Sequence, residues 1–192
     1  MLRASIARFI TLTDDECCQF ADLFYPRKLE KKQHWIKHGD VCKEIAFVVK
    51  GCIRTYYTKN NAERTGQFFF ENSWYTDYES RVTRQPVDLC VEALEPTELL
   101  LISFRDLEDL YEKNPKFDRV GRLMAENTTI HIRNRNSSLL NDSPEERYLK
   151  LLKERPKVIA RVPQNIIASF LGIEPETLSR IRRKIVVNAR QT

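Results

Sequence analysis

The sequence has 192 residues, 42% of them hydrophobic and 31% charged, with a formal net charge of +5. That hydrophobic share supports a packed core and excludes a wholly disordered chain, and the length fits a mid-sized domain plus a small one. No apolar run approaches the ~20 residues of a membrane span, and residues 1–9, with Arg3 and Arg8, lack the apolar centre and cleavage site of a secretory leader, so a cytoplasmic protein without a membrane partner is expected.

The charge is unevenly placed. From Ser143 onward there are 11 Lys and Arg against 5 Asp and Glu, a net of +6, which leaves the preceding residues at −1. Concentrated positive charge attracts polyanions, and phosphate backbones are the usual target. Five cysteines, at 17, 18, 42, 52 and 90, are odd in number and contain no C-x-x-C pair. Free thiols are therefore expected, not a disulfide framework, a zinc site or an iron–sulfur cluster.

In chain order, Thr13, Asp14, Asp15 and Glu16 have the form of a capping box, which predicts a short helix through residues 17–24 closed by Pro26. Between residues 28 and 103 the pattern changes to short apolar, β-branched and aromatic runs at 45–49, 52–58, 65–70, 89–94 and 98–103. Asn60 with Asn61, and Pro96, mark turns. Strands at this spacing predict a sandwich or barrel. A helix is expected from Ser103 to about Lys113, where Asn114 and Pro115 interrupt.

Residues 116–140 read as one longer helix, with Val120, Gly121, Met124, Ala125, Thr128, Ile132 and Leu139 near helical spacing. Gly121 and Ala125 are small and four apart, so a second helix could approach there. A helix of ~37 Å overreaches a small domain, and a dimer seam on this stripe is expected. The clearest boundary follows: Ser143 suits an N-cap, Pro144 the first helical position, and Glu146 completes a second capping box. The helix it opens, over 145–153, carries Tyr148, Leu151 and Leu152 as an apolar stripe.

Residues 164–183 hold the most specific pattern. Two helices that cross tightly need a small residue in the first and a left-handed turn between them. Ala168 supplies the small contact, and Gly172, four residues later, takes φ > 0 at no steric cost. Ile167, Leu171, Ile173, Leu178 and Ile181 fall where such helices share a core, and Pro175 suits the start of the second. This second helix displays Glu176, Thr177, Ser179, Arg180, Arg182, Arg183 and Lys184 on its other faces, and four cations within five residues serve no packing purpose. Arg180 suits a bidentate contact to guanine and Glu176 acceptance from the cytosine amino group. Thr177, Ser179, Arg183 and Lys184 suit phosphates, and Gln164, at the start of the motif, joins them as a candidate DNA contact.

On these residues the chain resembles the Crp/Fnr family of bacterial regulators over nearly its whole length. Gly39 with Asp40, the run from Val48 to Arg54, and the acidic turn before Gly66 look like the family's β-roll, while Gly172, Glu176, Thr177 and Arg180 match its recognition motif. The resemblance implies an α+β fold: an N-terminal jelly-roll β-barrel of the cyclic-nucleotide-binding type with a long dimerisation helix at 116–140, then a small helix-turn-helix domain. It also implies a homodimer that binds a palindromic operator in double-stranded DNA and contacts RNA polymerase. The domains are expected at 1–141 and 142–192.

The family's cyclic-nucleotide cassette uses a Gly-Glu pair and an Arg-Ser/Thr pair, whereas this chain has no glycine between Phe68 and Leu94. A backbone cradle close to a phosphate is hard to build without glycine, which argues against cyclic AMP. Tyr78, Arg81 and Arg84 are what that stretch offers an unidentified small-molecule effector. Pro175 stands where some members carry a base-reading arginine, and little chain follows Arg190 for a β-wing, so a different site preference is expected.

Phe68, Phe69, Phe70, Trp74, Tyr75 and Tyr78 could line a pocket, but at least half are expected in the core. His34, His38 and His131 are the only histidines and do not fit a His-x-His metal site, so no metal, cofactor or catalytic residue is expected and the chain reads as a non-enzyme. The competing readings are a small-molecule-binding β-roll without DNA binding and a cupin-like enzyme.

Overall fold

The structure, a computed structural model, describes residues 1–7 and 9–189, so the readings placed on Arg8 and on the stretch from Arg190 lie outside the described residues. The first half forms α1 (Leu2–Ala7), α2 (Asp14–Asp22), β1 (Tyr25–Leu29), β2 (His34–Ile36), β3 (Glu44–Lys50), β4 (Cys52–Lys59), β5 (Ala62–Phe70), β6 (Trp74–Tyr75), α3 (Tyr78–Thr83), β7 (Cys90–Ala93) and β8 (Thr97–Ser103). Helices complete it: α4 (Phe104–Lys113), α5 (Pro115–Asn141), α6 (Pro144–Glu154), α7 (Pro156–Arg161), α8 (Gln164–Leu171) and α9 (Pro175–Ala189). No helix among the described residues is long and apolar enough to cross a membrane.

The chain divides into two compact units. One is Met1–Thr55 with Phe68–Ile130; the other is Tyr56–Gln67 with the chain from His131 onward. The β4–β5 hairpin and α5 thus contribute residues to both.

The strands pair as two four-stranded sheets, ordered β1-β8-β3-β6 and β2-β7-β4-β5. β8 buries alternate residues over much of its length, whereas β3 and β4 bury consecutive ones at Ala46–Val48 and Cys52–Tyr56 and so are covered on both faces. Leu99 and Leu101 of β8 join Ala46, Val48, Ile53 and Val91 in the barrel interior, while Ile102 turns outward and packs with Ile6, Phe20, Leu107, Leu110, Phe117 and Val120 of the helices. Gly51, with φ +94°, makes the β3–β4 reversal: a Cβ there would lie 2.7 Å from the Pro96 carbonyl oxygen. Asn60 and Asn61, both with positive φ, turn the β4–β5 hairpin. Phe68, Phe70 and Tyr75 are buried, and Phe69 and Trp74 pack against the two clusters, so most of that aromatic group is core.

Both capping boxes form, with Thr13 and Glu16 on α2 and Ser143 and Glu146 on α6. The first is tied further: Lys116, the Thr13 backbone and Asn114 hold the Glu16 carboxyl at about 2. The helix expected over 17–24 begins earlier, at Asp14. Pro26 does not merely close it but sits within β1, opposite Leu100. As the edge strand of its sheet, β1 can lack that N–H. The sequence reading missed β1, β2, β6, α1, α3 and α7, all of 6 residues or fewer and too short for a period to register.

The stripe read as a dimer seam on α5 is covered by its own chain at Val120 and Gly121, while Ile132 and Leu139 farther along it are exposed. Gly121 faces Tyr111 of α4, not open space: a Cβ there would run into the Tyr111 hydroxyl and lie 3.1 Å from its Cζ. Val120 is buried with Phe117 in the helical cluster, and Thr128 lies beside Tyr78 of α3. The small residue admits a neighbour of its own chain. Gly121→Ala is therefore expected to destabilise the fold by about 1–3 kcal/mol through overpacking. Adding Tyr111→Phe, which removes the clashing oxygen, should recover part of that loss. Denaturant unfolding of both single variants and the double variant checks this; equal losses with and without the tyrosine hydroxyl would refute the contact.

Candidate nucleic-acid interface

The second unit builds its helices from strong local signals. Ser143 caps α6 by accepting from the Glu146 N–H at 3.3 Å, and Glu146 returns by accepting from the Ser143 N–H at 2.7 Å. Gly172 closes α8 in the left-handed region, φ 69° and ψ 35°, with its N–H donated to the carbonyls of Ala168 and Ser169. The turn is finished in two residues, and Pro175 opens α9. Ala168 is fully buried where α8 and α9 cross, and Ile167, Leu171, Leu178 and Ile181 are buried around it, with Ile173 half-buried. The helix-turn-helix core read from the sequence is thus assembled residue by residue.

Burial of Leu178 and Ile181 fixes the rotation of α9 and hence what it shows to solvent. Glu176, Arg180 and Arg183 fall at i, i+4 and i+7 along one exposed stripe, with Ser179 beside them and Thr177 half-buried. The Arg180 guanidinium donates to the Thr177 hydroxyl at 3.2 Å, which braces it across one turn. Lys184 places its ammonium 2.7 Å from the Glu145 carboxylate of α6. Gln164 is exposed at the first position of α8. The structure therefore gathers Glu176, Thr177, Ser179, Arg180 and Arg183 on one helix surface and turns Lys184 toward α6.

Sequence reasoning missed three arginines around the C-terminal end of α8. Arg135 donates to the Phe170 carbonyl at 2.8 Å and lies 3.8 Å over the Phe170 ring. Arg147 donates to the Leu171 carbonyl at 3.0 Å, and Arg155 also stands over the Phe170 ring. Cations suit the carbonyl end of a helix, where the last four C=O groups lack intrahelical partners. Burial, then the nearby Arg155 and Arg147, lower the Arg135 pKa to about 10, so it remains charged at neutral pH. Nothing in the spacing of these arginines distinguishes them from solvated ones.

In the first unit, the candidate effector residues share α3. Asp77 caps this helix, and Arg84, at φ 60°, closes it. Arg84 is 3.6 Å from Glu108, and Arg81 stands 5.3 Å over the Phe104 ring and beside Tyr111. Burial pushes the Tyr78 and Tyr111 hydroxyls above the usual phenol range. The adjacent Ser80 hydroxyl donates to the Gln85 carbonyl at 2.6 Å and accepts from the Cys42 N–H at 3.0 Å. An open cleft of about 350 Å³ lies elsewhere, lined by Ala7, Phe9, Ile10, Thr11, Lys116 and Arg119. Among the described residues no three His, Cys, Asp or Glu side chains gather as for a metal, and none of the five cysteines is in a disulfide. His34 is 3.9 Å from Glu92, a carboxylate already held by Arg54 at 3.0 Å.

Residues 26–114 match the protein family described as the cyclic nucleotide-binding domain. No curated protein matches the sequence. Among solved structures, the chain is similar to FixK2 from Bradyrhizobium japonicum, with a TM-score of 0.75, 18% identity and 86% of each chain covered. It is also similar to CLP from Xanthomonas campestris, described as a c-di-GMP responsive global regulator, with a TM-score of 0.72 and 15% identity over 90% of this chain and 91% of that one. A third is the catabolite activator protein of Thermus thermophilus, with a TM-score of 0.58 and 20% identity over 94% and 87%. The shared fold is an antiparallel jelly roll of the cyclic-nucleotide-binding type followed by a long helix and smaller helices, α+β overall.

The polar groups of α3 are engaged by their own chain, and an anion at this helix would have to displace them. Calorimetric titration with cyclic AMP is expected to show no micromolar binding. A micromolar Kd would overturn the expectation that cyclic AMP is not the effector.

Proposed function

We propose that this chain is a sequence-specific, DNA-binding transcription regulator of the Crp/Fnr type, acting in the cytoplasm as a homodimer on a palindromic operator and touching RNA polymerase there. The observation that carries the reading is the exposed stripe of Glu176, Arg180 and Arg183, held rigidly by buried Leu178 and Ile181 on the second helix of a tight helix-turn-helix. Such a helix fits the major groove, whose base edges carry a distinct donor and acceptor pattern for each pair. The solved structures of like fold, among them regulators by their own descriptions, agree with it. Residues 1–141 then form the sensory β-roll with its long helix, and 142–192 the DNA-binding domain. The effector, where one acts, is a small molecule other than cyclic AMP held in the usual way.

Arg180 reads a base as a planar fork, and Glu176 accepts from cytosine. Gln164, Thr177, Ser179 and Arg183 hold or flank phosphates, and Lys184 trades Glu145 for a phosphate on binding. Arg180→Ala is expected to cost about 1–3 kcal/mol and relax preference at one symmetric pair of positions. Lys184→Ala should weaken all sequences alike and lower the salt slope by about one unit. Binding of both variants to an operator selected from random duplex DNA, and to its single-base variants at several salt concentrations, decides the matter. Equal loss by the Arg180 variant on every sequence would make it a phosphate clamp.

The dimer is seated on α5, on the face that its own chain leaves open. Ile130 is 56% exposed about half a turn away from Gly121, with half-buried Leu123 seven residues before it and Leu140, 84% exposed, beyond. In a two-fold dimer the recognition helices enter successive major grooves about 34 Å apart. Ile130→Glu is expected to shift the chain to monomer at micromolar concentration and to abolish operator binding before it alters the melting of the β-roll. Sedimentation measures this; a wild-type monomer, or a variant that stays dimeric, counts against the seam.

A further inference from the structure

We propose that Ser169 and Arg135 are positioning residues for DNA recognition, fastening the tip of the β4–β5 hairpin to the last turn of α8 and so fixing where α9 starts. The inference rests on the DNA-binding reading above. It begins from a problem that every edge strand poses. β5 is the last strand of its sheet, so its outer N–H and C=O groups, which recur every second residue, have no ladder partner. In the second unit these groups meet α8. The Ser169 hydroxyl accepts from the Thr65 N–H at 2.9 Å and donates to the Glu63 carbonyl at 2.8 Å. One hydroxyl thus replaces a rung of the missing strand.

Arg135 makes the second fastening. Its guanidinium donates to the Thr65 carbonyl at 3.3 Å and to the Phe170 carbonyl at 2.8 Å, so a single planar group bridges strand and helix while stacking on the Phe170 ring. Two residues along the strand, the Gln67 side-chain Oε1 accepts from the Arg155 guanidinium. The contacts at 63, 65 and 67 follow the period of a strand, and those at 169 and 170 fall in one helical turn. The same turn makes the corner that launches the recognition helix, because the Ser169 carbonyl accepts the Gly172 N–H at 3.1 Å and the Ala168 carbonyl accepts that of Ile173, also at 3.1 Å. Ser169 therefore holds the hairpin with its side chain and the recognition turn with its backbone. The DNA-reading unit includes residues 56–67 and the end of α5, not only the chain from residue 142.

Specific recognition needs Arg180 placed to within a fraction of an ångström, whereas phosphate attraction tolerates small rotations. Loosening the hairpin should therefore lower affinity for the operator and leave binding to unrelated duplex unchanged. The test uses the full chain as wild type, Ser169→Ala, Ser169→Thr and Arg135→Met, against the selected operator and a shuffled duplex at equal salt. Ser169→Ala and Arg135→Met should each lose on the order of tenfold in the ratio of operator to shuffled binding, with the salt slope kept, and Ser169→Thr should restore most of it. A second arm uses no DNA: amide hydrogen exchange should accelerate in 56–67, α8 and the first turns of α9 in Ser169→Ala and not elsewhere. An unchanged ratio overturns the inference, as does proportional loss on both duplexes, which is the mark of simple unfolding. If the wild type fails to distinguish the duplexes, the DNA-binding reading falls, and exchange alone decides the fastening, with unchanged rates in α8 and α9 overturning it.

Discussion

What α9 presents depends on the sharp turn at Gly172. α8 stops there in the left-handed region, so the chain leaves the helix axis at once and α9 begins three residues later. Any residue with a Cβ would hold that conformation at a cost of about 1–2 kcal/mol. Space is not the issue, since the nearest side-chain atom to an added Cβ is Leu139 Cδ2 at 3.8 Å. The close crossing that follows needs Ala168, which is wholly buried. Once Leu178 and Ile181 are seated against it, the rotation of α9 is set, and at about 100° per residue the positions that point outward follow. The chemistry of Arg180 is thus downstream of a backbone torsion eight residues before it.

The positive charge of the C-terminal region is not all available to DNA. Arg147 and Arg155 donate to oxygen atoms of the protein, Lys150 lies 2.7 Å from Asp142, and Lys184 lies 2.7 Å from Glu145. Arg135, from outside the region whose charge drew attention, joins them at the end of α8. These cations satisfy carbonyls and carboxylates that folding would otherwise leave short of partners. Net charge therefore overstates how many cations of this region are left for any polyanion. The recognition stripe contributes through placement as much as through charge.

Local signals in the sequence were legible in proportion to how local their causes are. Capping boxes at Thr13 and Ser143, the cap at Ser103, the turn at Gly172 and the long period of α5 each rest on residues within one or two turns, and each forms as read. The helix-turn-helix core was legible because a small residue, a glycine and five apolar positions must occur together. What stayed hidden depends on pairs distant in sequence. Ser169 meets residues more than 100 positions away, and Arg135 meets Thr65 70 positions away, so neither shows a pattern along the chain. The commitment of Arg81 to Phe104 and Tyr111 was likewise invisible: an arginine in a glycine-free stretch reads equally as ligand or as brace until its surroundings are known.

The long helix shows the same limit at larger scale. Periodicity identifies a face that needs covering, but not what covers it. The stripe through Gly121, Thr128 and Arg135 recurs every seven residues, as a helix–helix seam would. Each of these residues instead meets its own chain: Gly121 accommodates Tyr111, Thr128 donates to the Met124 carbonyl and lies beside Tyr78, and Arg135 bridges Thr65 and Phe170. Small and polar residues suit this stripe because hydroxyls, a ring edge and backbone carbonyls meet it, where a helical neighbour would call for branched aliphatics. The side chain of Ile130, 56% exposed, lies on the other side. Ile132 and Leu139, near the first stripe, are exposed as well, so the fold leaves apolar surface in water on more than one side of α5.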